Sequence, residues 1–413
     1  MSAAAHASPH SHFNMLDVAT FANGHPHELY DQIRQETPVF RHQGSDIHSP
    51  FWVLFGYEDI KAVSQDGENF SSTGGFKVPT DNRAKMDPEI ARTLGRFMLS
   101  MDNPEHQLFR NIVADAFLPS ALKLQEQRVA NSINRLMETL ADRDEVEFVT
   151  EVGAKVPIQT VCAVLGLPEE EEDRVFDFTN AVFLTDDPEF APTLDVANAR
   201  YLEIFDYARK VMADRRANPR NDLLTRIAFA EIDGKPISEV EQVSFFSNLL
   251  AAGNETTRTT FAGCMIALSR FPDVKQRLVA EPDLIARAIP ELLRWISPVY
   301  HMARTAKRDV VIGGQKIAQG ERVAMLYGAG NHDPLMFENP HQVMIDRPNT
   351  SRHLTFGWGI HHCLGQRLGI MQLRLMLEAL LAHFPNSTVI GEPAYIATNF
   401  VAAIKKLRVR LRP

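Results

Sequence analysis

The feature that most constrains this chain is a helical pattern that begins at Ser238 and does not stop until Pro272. Ser238 is followed three residues later by Glu241, the spacing of a capping box, in which each side chain satisfies a backbone N–H that the first turn leaves free. Helical patterning then runs to Phe271, where Pro272 stops it. Roughly 33 residues at 1.5 Å each make a rod of about 50 Å, against a usual helix of about 11 to 12 residues. Such a rod must cross most of the molecule, so the rest of the chain has to pack around it.

The remainder reads as mainly α with a minor β-sheet region. Ala121 to Ala141 and Asp195 to Asn218 are helical. Phe51 to Phe55 and Arg322 to Leu326 read as strands, Val310 to Ile312 with Gly313-Gly314 starts a hairpin, and Lys406 to Leu411 alternates like a strand. No repeat or linker divides the chain, so residues 15–413 are expected to form one domain behind a disordered polar tail, 1–14. Metal binding by His6, His10 and His12 of the tail is the alternative reading. A hydrophobic fraction of 45% and a charged fraction of 23% argue against disorder, and the net charge of −9 argues against nucleic-acid binding. Neither a secretory signal nor a membrane-length apolar run is legible, so a cytoplasmic location without a membrane, and a monomer, are expected. Three cysteines, Cys162, Cys264 and Cys363, do not make a disulfide framework, which leaves one available for chemistry.

The densest signal surrounds the last of them: Phe356-Gly357-Trp358-Gly359-Ile360-His361-His362-Cys363-Leu364-Gly365. The glycines would let backbone N–H groups turn toward the sulfur and let the chain lie against a flat macrocycle. Leu364, Leu368, Met371 and Leu375 recur at helical spacing, which sets the cysteine where a loop enters a helix, a position that favours an anion. A buried structural cysteine and a zinc site from His361, His362 and Cys363 are the competing readings, but no second cysteine–histidine cluster is nearby to complete four ligands. The segment resembles the haem-binding signature of cytochromes P450, with every fixed position filled; Gly369 stands where many members have alanine. The resemblance implies the P450 fold with the long central helix lying over haem b, and Cys363 as the thiolate ligand to its iron.

Other motifs occur in the family's order. Ala252-Gly253-Asn254-Glu255-Thr256-Thr257 on the long helix resembles the acid–alcohol signature, implying a proton relay through Glu255 and Thr256, with Ala252 and Gly253 leaving room for dioxygen. Without the cysteine loop the same residues would pass for a solvated helical turn. Glu291 and Arg294, three apart on one helix face, resemble the ExxR motif, with Arg347 as third partner in a structural role. His106 and Arg110 share a helical face, and with Arg304 and His361 match the family's partners for the haem propionates. Phe356, Gly365 and Ala252 complete the expected cofactor contacts. Asn331-His332-Asp333 departs from relatives that carry arginine at its centre.

The positions that line the substrate side in relatives fall on Asn248, Ala251, Ala252, Val299, Met302, Phe400 and Val401, with the loops Thr73–Ser100 and Ala181–Leu194. Phe76, Phe97, Met98, Phe183 and Phe190 could add apolar walls. The resemblance implies a monooxygenase that inserts one atom of O2 into a C–H bond of a terpenoid, hydrocarbon or steroid, as in bacterial members. No flavin or nicotinamide module is legible, so electrons are expected from a small acidic [2Fe-2S]-type ferredoxin and its reductase, docking near Arg352, Arg367 and Arg374; solvated helix charges are the alternative for those arginines. The rival functions are a peroxide-driven peroxygenase and a non-catalytic haem protein that binds or senses a ligand.

Overall fold

The computed structural model describes residues 13–78, 87–183 and 187–412. The helices that build the site are α1 (His27–Glu36), α2 (Glu105–Ala114), α3 (Pro119–Leu140), α4 (Lys155–Leu165), α5 (Glu172–Phe183), α6 (Leu194–Ala217), α7 (Glu239–Arg270), α8 (Ile285–Ile296), α9 (Tyr327–Asn331) and α10 (Gln366–His383). The long pattern becomes α7, 32 residues with Ser238 as N-cap. Both halves of the capping box form: the Glu241 N–H donates to Ser238 Oγ at 3.3 Å and the Ser238 N–H to Glu241 Oε2 at 2.7 Å.

Because α7 crosses the interior, it is buried on several sides rather than along one stripe. Val243, Phe246 and Leu250 pack into one cluster with Phe205 of α6 and Phe178 of α5. Phe261, Met265 and Leu268 pack into another with Leu292 of α8 and Leu377 of α10. Burying a side chain of this size contributes about 1.5–3 kcal/mol, so the helix is held by tertiary packing. Two glycines allow close crossings. A Cβ on Gly253 would lie 2.6 Å from Val161 Cγ2 of α4, and one on Gly263 would lie 2.7 Å from Ile296 Cγ2 of α8. Gly253 also lines the cavity, so its missing side chain serves this helix crossing beside the open space expected there.

Beside the helices lies a five-stranded sheet of β1 (Val39–His42), β2 (Phe51–Leu54), β3 (Phe70–Ser71), β4 (His301–Ala306) and β5 (Arg322–Leu326), in the order β1-β2-β5-β4-β3. β2 and β5 run parallel, with Val53 opposite Ala324; the other pairs are antiparallel, and Ala303 of β4 faces Ala324. β4 thereby directs Met302 and Arg304 at the region below α7.

Two boundaries differ from the sequence expectation. Phe13 and Asn14, assigned to the tail, belong to the body: Phe13 is buried edge-on to Phe21, Tyr30 and Phe55, and Asn14 Oδ1 accepts from the Leu16 N–H. His6, His10 and His12 lie outside the described residues. The strand expected over Lys406 to Leu411 is split at Leu407 into Ile404–Lys406 and Arg408–Arg410, because the Leu407 N–H donates to Glu147 Oε1 at 2.8 Å instead of a strand neighbour. No helix among the described residues is long and apolar enough to cross a membrane.

Candidate active site

Cys363 stands at the mouth of α10, whose N-cap is Gly365. The loop before it turns on Gly357 and Gly359, with φ of +69° and +73°, a region in which a side chain is strained. Gly359 also passes so close to the Ser64 carbonyl that a Cβ would lie 2.4 Å from that oxygen. The turn closes with the Cys363 N–H donating to Phe356 O at 2.8 Å. Burial raises the Cys363 thiol above its ordinary value; the N–H groups of Gly365 and Gln366 and the Arg110 guanidinium pull the other way. The sulfur thus meets two backbone donors at a helix N-terminus, an arrangement that favours a thiolate once a cation is supplied opposite it.

Above the sulfur is a cavity of about 340 Å³ between α7, α10 and β4. At one end His106, Arg110, Arg304 and His361 converge, drawn from α2, β4 and the cysteine loop. The His106 and His361 rings are edge-to-face at 4.4 Å, and His361 Nε2 lies 3.0 Å from Ser72 Oγ. Burial, then the neighbouring cations, pushes His361 down to about 2; burial, then Arg110 and Arg304, pushes His106 to about 4. Among the described residues no carboxylate forms an ion pair with Arg110 or Arg304, and no Asp or Glu lines the cavity. His106 Nδ1 is buried without a hydrogen-bond partner. Asp102 acts on Arg304 and His106 without forming an ion pair with either, so the cluster keeps its positive sign and fits a ligand that brings carboxylates of its own. Alongside it a Cβ on Gly365 or Gly369, both cavity-lining, would meet nothing within 4 Å. Thiolate, dicarboxylate cradle and open glycine floor together fit haem.

Thr256 lines the opposite wall and donates its hydroxyl to Ala252 O, one turn back, at 3.0 Å. Thr257 and Thr260 back-bond in the same way to Gly253 O and Thr256 O. Ala252 faces the cavity beside them. Glu255 does not: fully buried on the far side of α7, it forms an ion pair with Arg258 and accepts from Thr259 Oγ1 at 3.1 Å. Arg258 reaches on to Asn180 Oδ1 at 3.1 Å.

Glu291 and Arg294 of α8 lie outside the cavity, fully buried. Arg294 Nε and Nη2 each sit 2.8 Å from a Glu291 oxygen, and Arg347 Nε lies 3.0 and 3.1 Å from the same carboxylate. Arg294 also donates to Asn331 O and Pro340 O, both at 2.8 Å, and to Gln342 O at 2.9 Å. One carboxylate therefore bridges two arginines, whose remaining N–H groups clamp the chain between α9 and the cysteine loop through its carbonyls.

Asn248, Ala251, Val299, Met302, Phe400 and Val401 all line the cavity, as do Phe76, Phe97 and Met98. Val299 bridges Val401, and Phe76 stacks on Phe97 and meets Phe400 edge-on. Phe190 does not itself line the cavity; it packs against the cluster of Phe400 and Val401 behind the wall, under Lys405. The Phe183 side chain and residues 79–86 and 184–186 of the two expected loops lie outside the described residues. Lys77, within the expected loop Thr73–Ser100, also lines the cavity; Tyr327 and Tyr201 line it too and were missed, since no motif or spacing marks them. Of the arginines expected to form a docking patch, Arg352 and Arg367 are exposed, whereas Arg374 is tied to Glu126 and Glu378.

Comparison with known proteins matches residues 8–409 to the cytochrome P450 family. The linalool 8-monooxygenase of Pseudomonas putida is 33% identical over 94% of this chain and 96% of its own. The steroid C26-monooxygenase of Rhodococcus jostii is 31% identical over 96% and 84%. Among solved structures, a Mycobacterium marinum cytochrome P450 in complex with pseudoionone superposes with a TM-score of 0.87 at 31% identity, covering 93% of this chain and 94% of that one.

Proposed function

The chain belongs to the cytochrome P450 family of haem-thiolate monooxygenases, and from that premise we propose that it hydroxylates small hydrophobic molecules of terpenoid, hydrocarbon or steroid type. The observation that carries the substrate class is the polarity of the cavity. Apart from Lys77, whose ammonium lies over the Phe400 ring, its charged side chains gather at the His106–Arg110–Arg304–His361 end, and the walls facing Thr256 are Phe76, Phe97, Val299, Met302, Phe400 and Val401. A chamber of that kind binds by excluding water from apolar surface and has little to offer a charged ligand. The names of the relatives, which act on linalool and steroids, support the same class.

Cys363 and the cations at the other end would hold haem b by its iron and its propionates, and when bound it would supply O2 activation and insertion of one oxygen atom into a C–H bond. The chain's own residues do the rest. The Gly365 and Gln366 N–H groups stabilise charge on sulfur. Phe356 and Leu364 shield the loop side, while Ala252 leaves space beside Thr256. Thr256, its proton donated to Ala252 O, presents hydroxyl lone pairs to the cavity and can hold a water there. For Glu255 to feed protons to that water its carboxylate must leave Arg258 and swing past the helix backbone. Electrons come from a separate ferredoxin, for which exposed Arg352 and Arg367 offer a basic docking face.

The test supplies the haem-loaded protein with a surrogate ferredoxin and reductase, labelled dioxygen and a panel of terpenoids, steroids and charged aromatics of matched size. The expected result is a spin-state change and one labelled oxygen per product with the apolar members. Spin-state change and turnover confined to the charged members would overturn the substrate class.

A further inference from the structure

Away from the haem chamber, three imidazoles meet where the N-terminal helix touches the chain leading to the cysteine loop. His27 opens α1, His332 follows α9 directly, and His341 lies nine residues on. Each offers a ring nitrogen, and the three nitrogens lie within 4.8 Å of one another. The His27 and His332 rings are 3.9 Å apart and the His332 and His341 rings 5.3 Å apart.

The hydrogen bonds around these rings are those of metal ligands. A carbonyl oxygen can only accept, so His332 Nδ1, 3.0 Å from Gly328 O, carries the proton and Nε2 keeps a lone pair. That Nε2 is buried with no partner, in a residue only 1% exposed, and His27 Nδ1 is likewise buried and unpartnered. His341 Nε2 lies 2.6 Å from Asp31 Oδ2, and Asp31 is itself held by Arg34. Ligating histidines are oriented through carbonyls and carboxylates in this manner. Of the nearby positive charges, Arg34 pairs with Asp31, and Arg294 shares the single carboxylate of Glu291 with Arg347. His25 stacks on His27 at 5.2 Å but stands outside the group.

The backbone is fixed on both sides. Arg294 holds Asn331 O and Pro340 O, the carbonyls immediately before His332 and His341. The Asn331 side chain accepts from the Leu354 N–H at 2.6 Å and donates to Thr355 Oγ1 at 3.1 Å, at the start of the cysteine loop. We propose that His27, His332 and His341 bind a divalent transition-metal ion of the zinc class, which staples α1 to the frame that carries the cysteine loop. Three imidazoles select zinc and its transition-metal neighbours over magnesium or calcium, which require oxygen ligands. Tetrahedral nitrogens at about 2.1 Å from zinc sit about 3.4 Å apart, so the rings need only small rotations, with His341, held by Asp31, on the solvent side.

The experiment titrates zinc alone into the haem-loaded full chain in which His6, His10 and His12 are replaced by Ala, removing the tail as a competing site. Binding is read by competition with a chromophoric chelator, and the ligand shell by zinc-edge X-ray absorption. One equivalent should bind, with an imidazole shell at about 2.0–2.1 Å and no competition from magnesium. His341→Ala, at an exposed position, should keep its haem and lose at least about tenfold in zinc affinity. Absence of a stoichiometric site, an affinity unchanged in His341→Ala, or a shell containing sulfur would overturn the proposal.

Discussion

At the scale of single residues, the acid and the alcohol of the central helix occupy different environments although they adjoin in sequence. Thr256 meets the cavity, and Glu255 is sealed behind α7 with Arg258. Their substitutions should therefore differ in kind. Thr256→Ala removes only a hydroxyl bonded to its own helix, so folding and ligand binding should persist while electrons are consumed without matching product; undiminished coupling would show that Thr256 takes no part in proton delivery. Glu255→Ala leaves Arg258 buried without its carboxylate, which costs about 3–5 kcal/mol. Chemical denaturation should report that loss in Glu255→Ala and not in Thr256→Ala.

At the scale of elements, the best-read segments were those whose limits are written in local chemistry. Ser238, Glu241 and Pro272 bound α7 within a residue of its observed ends, because a capping box and a proline act on the backbone that carries them. The cysteine loop was equally legible, since its glycines answer to φ values and close approaches within the loop. What stayed hidden depends on partners remote in sequence. Gly253 is small because Val161 of α4 needs its place. Phe13 joins the core through aromatic neighbours as distant as Phe55. The aim of Glu255 is set by Arg258 one turn on, a pairing visible in the sequence, but which face meets the chamber is not. The crossing at Gly253 makes a direct prediction. Gly253→Ala should destabilise the protein by about 1–3 kcal/mol through overpacking, and Val161→Ala in the same chain should recover part of that loss; additive losses in the double variant would contradict the contact.

At the scale of the whole molecule, buried neutral histidines tie stability to pH. His301 Nδ1 donates to Asn399 O at 2.9 Å while Nε2 accepts from the Val78 N–H at 2.9 Å, so a second proton would face a donor. Burial, with lesser contributions from Lys77 and Arg322, holds His301 at about 3 instead of 6.5, and burial with Arg294 and His362 holds His353 at about 4. Below pH 6.5 the unfolded chain takes up protons that the folded one refuses, so stability from these groups is full above 6.5 and falls progressively as pH drops toward 4. In His301→Gln, whose amide can both donate and accept, the decline over that window should be shallower; an unchanged slope would remove His301 as a cause.

All of the chemistry rests on the sulfur at the mouth of α10. The most direct measurement is the carbon monoxide difference spectrum of the reduced, haem-loaded protein, recorded for the native chain and for Cys363→Ala. Thiolate ligation by Cys363 predicts a strongly red-shifted Soret band in the native protein that disappears in the variant. A native protein without that band, or a variant that keeps it, would contradict the assignment.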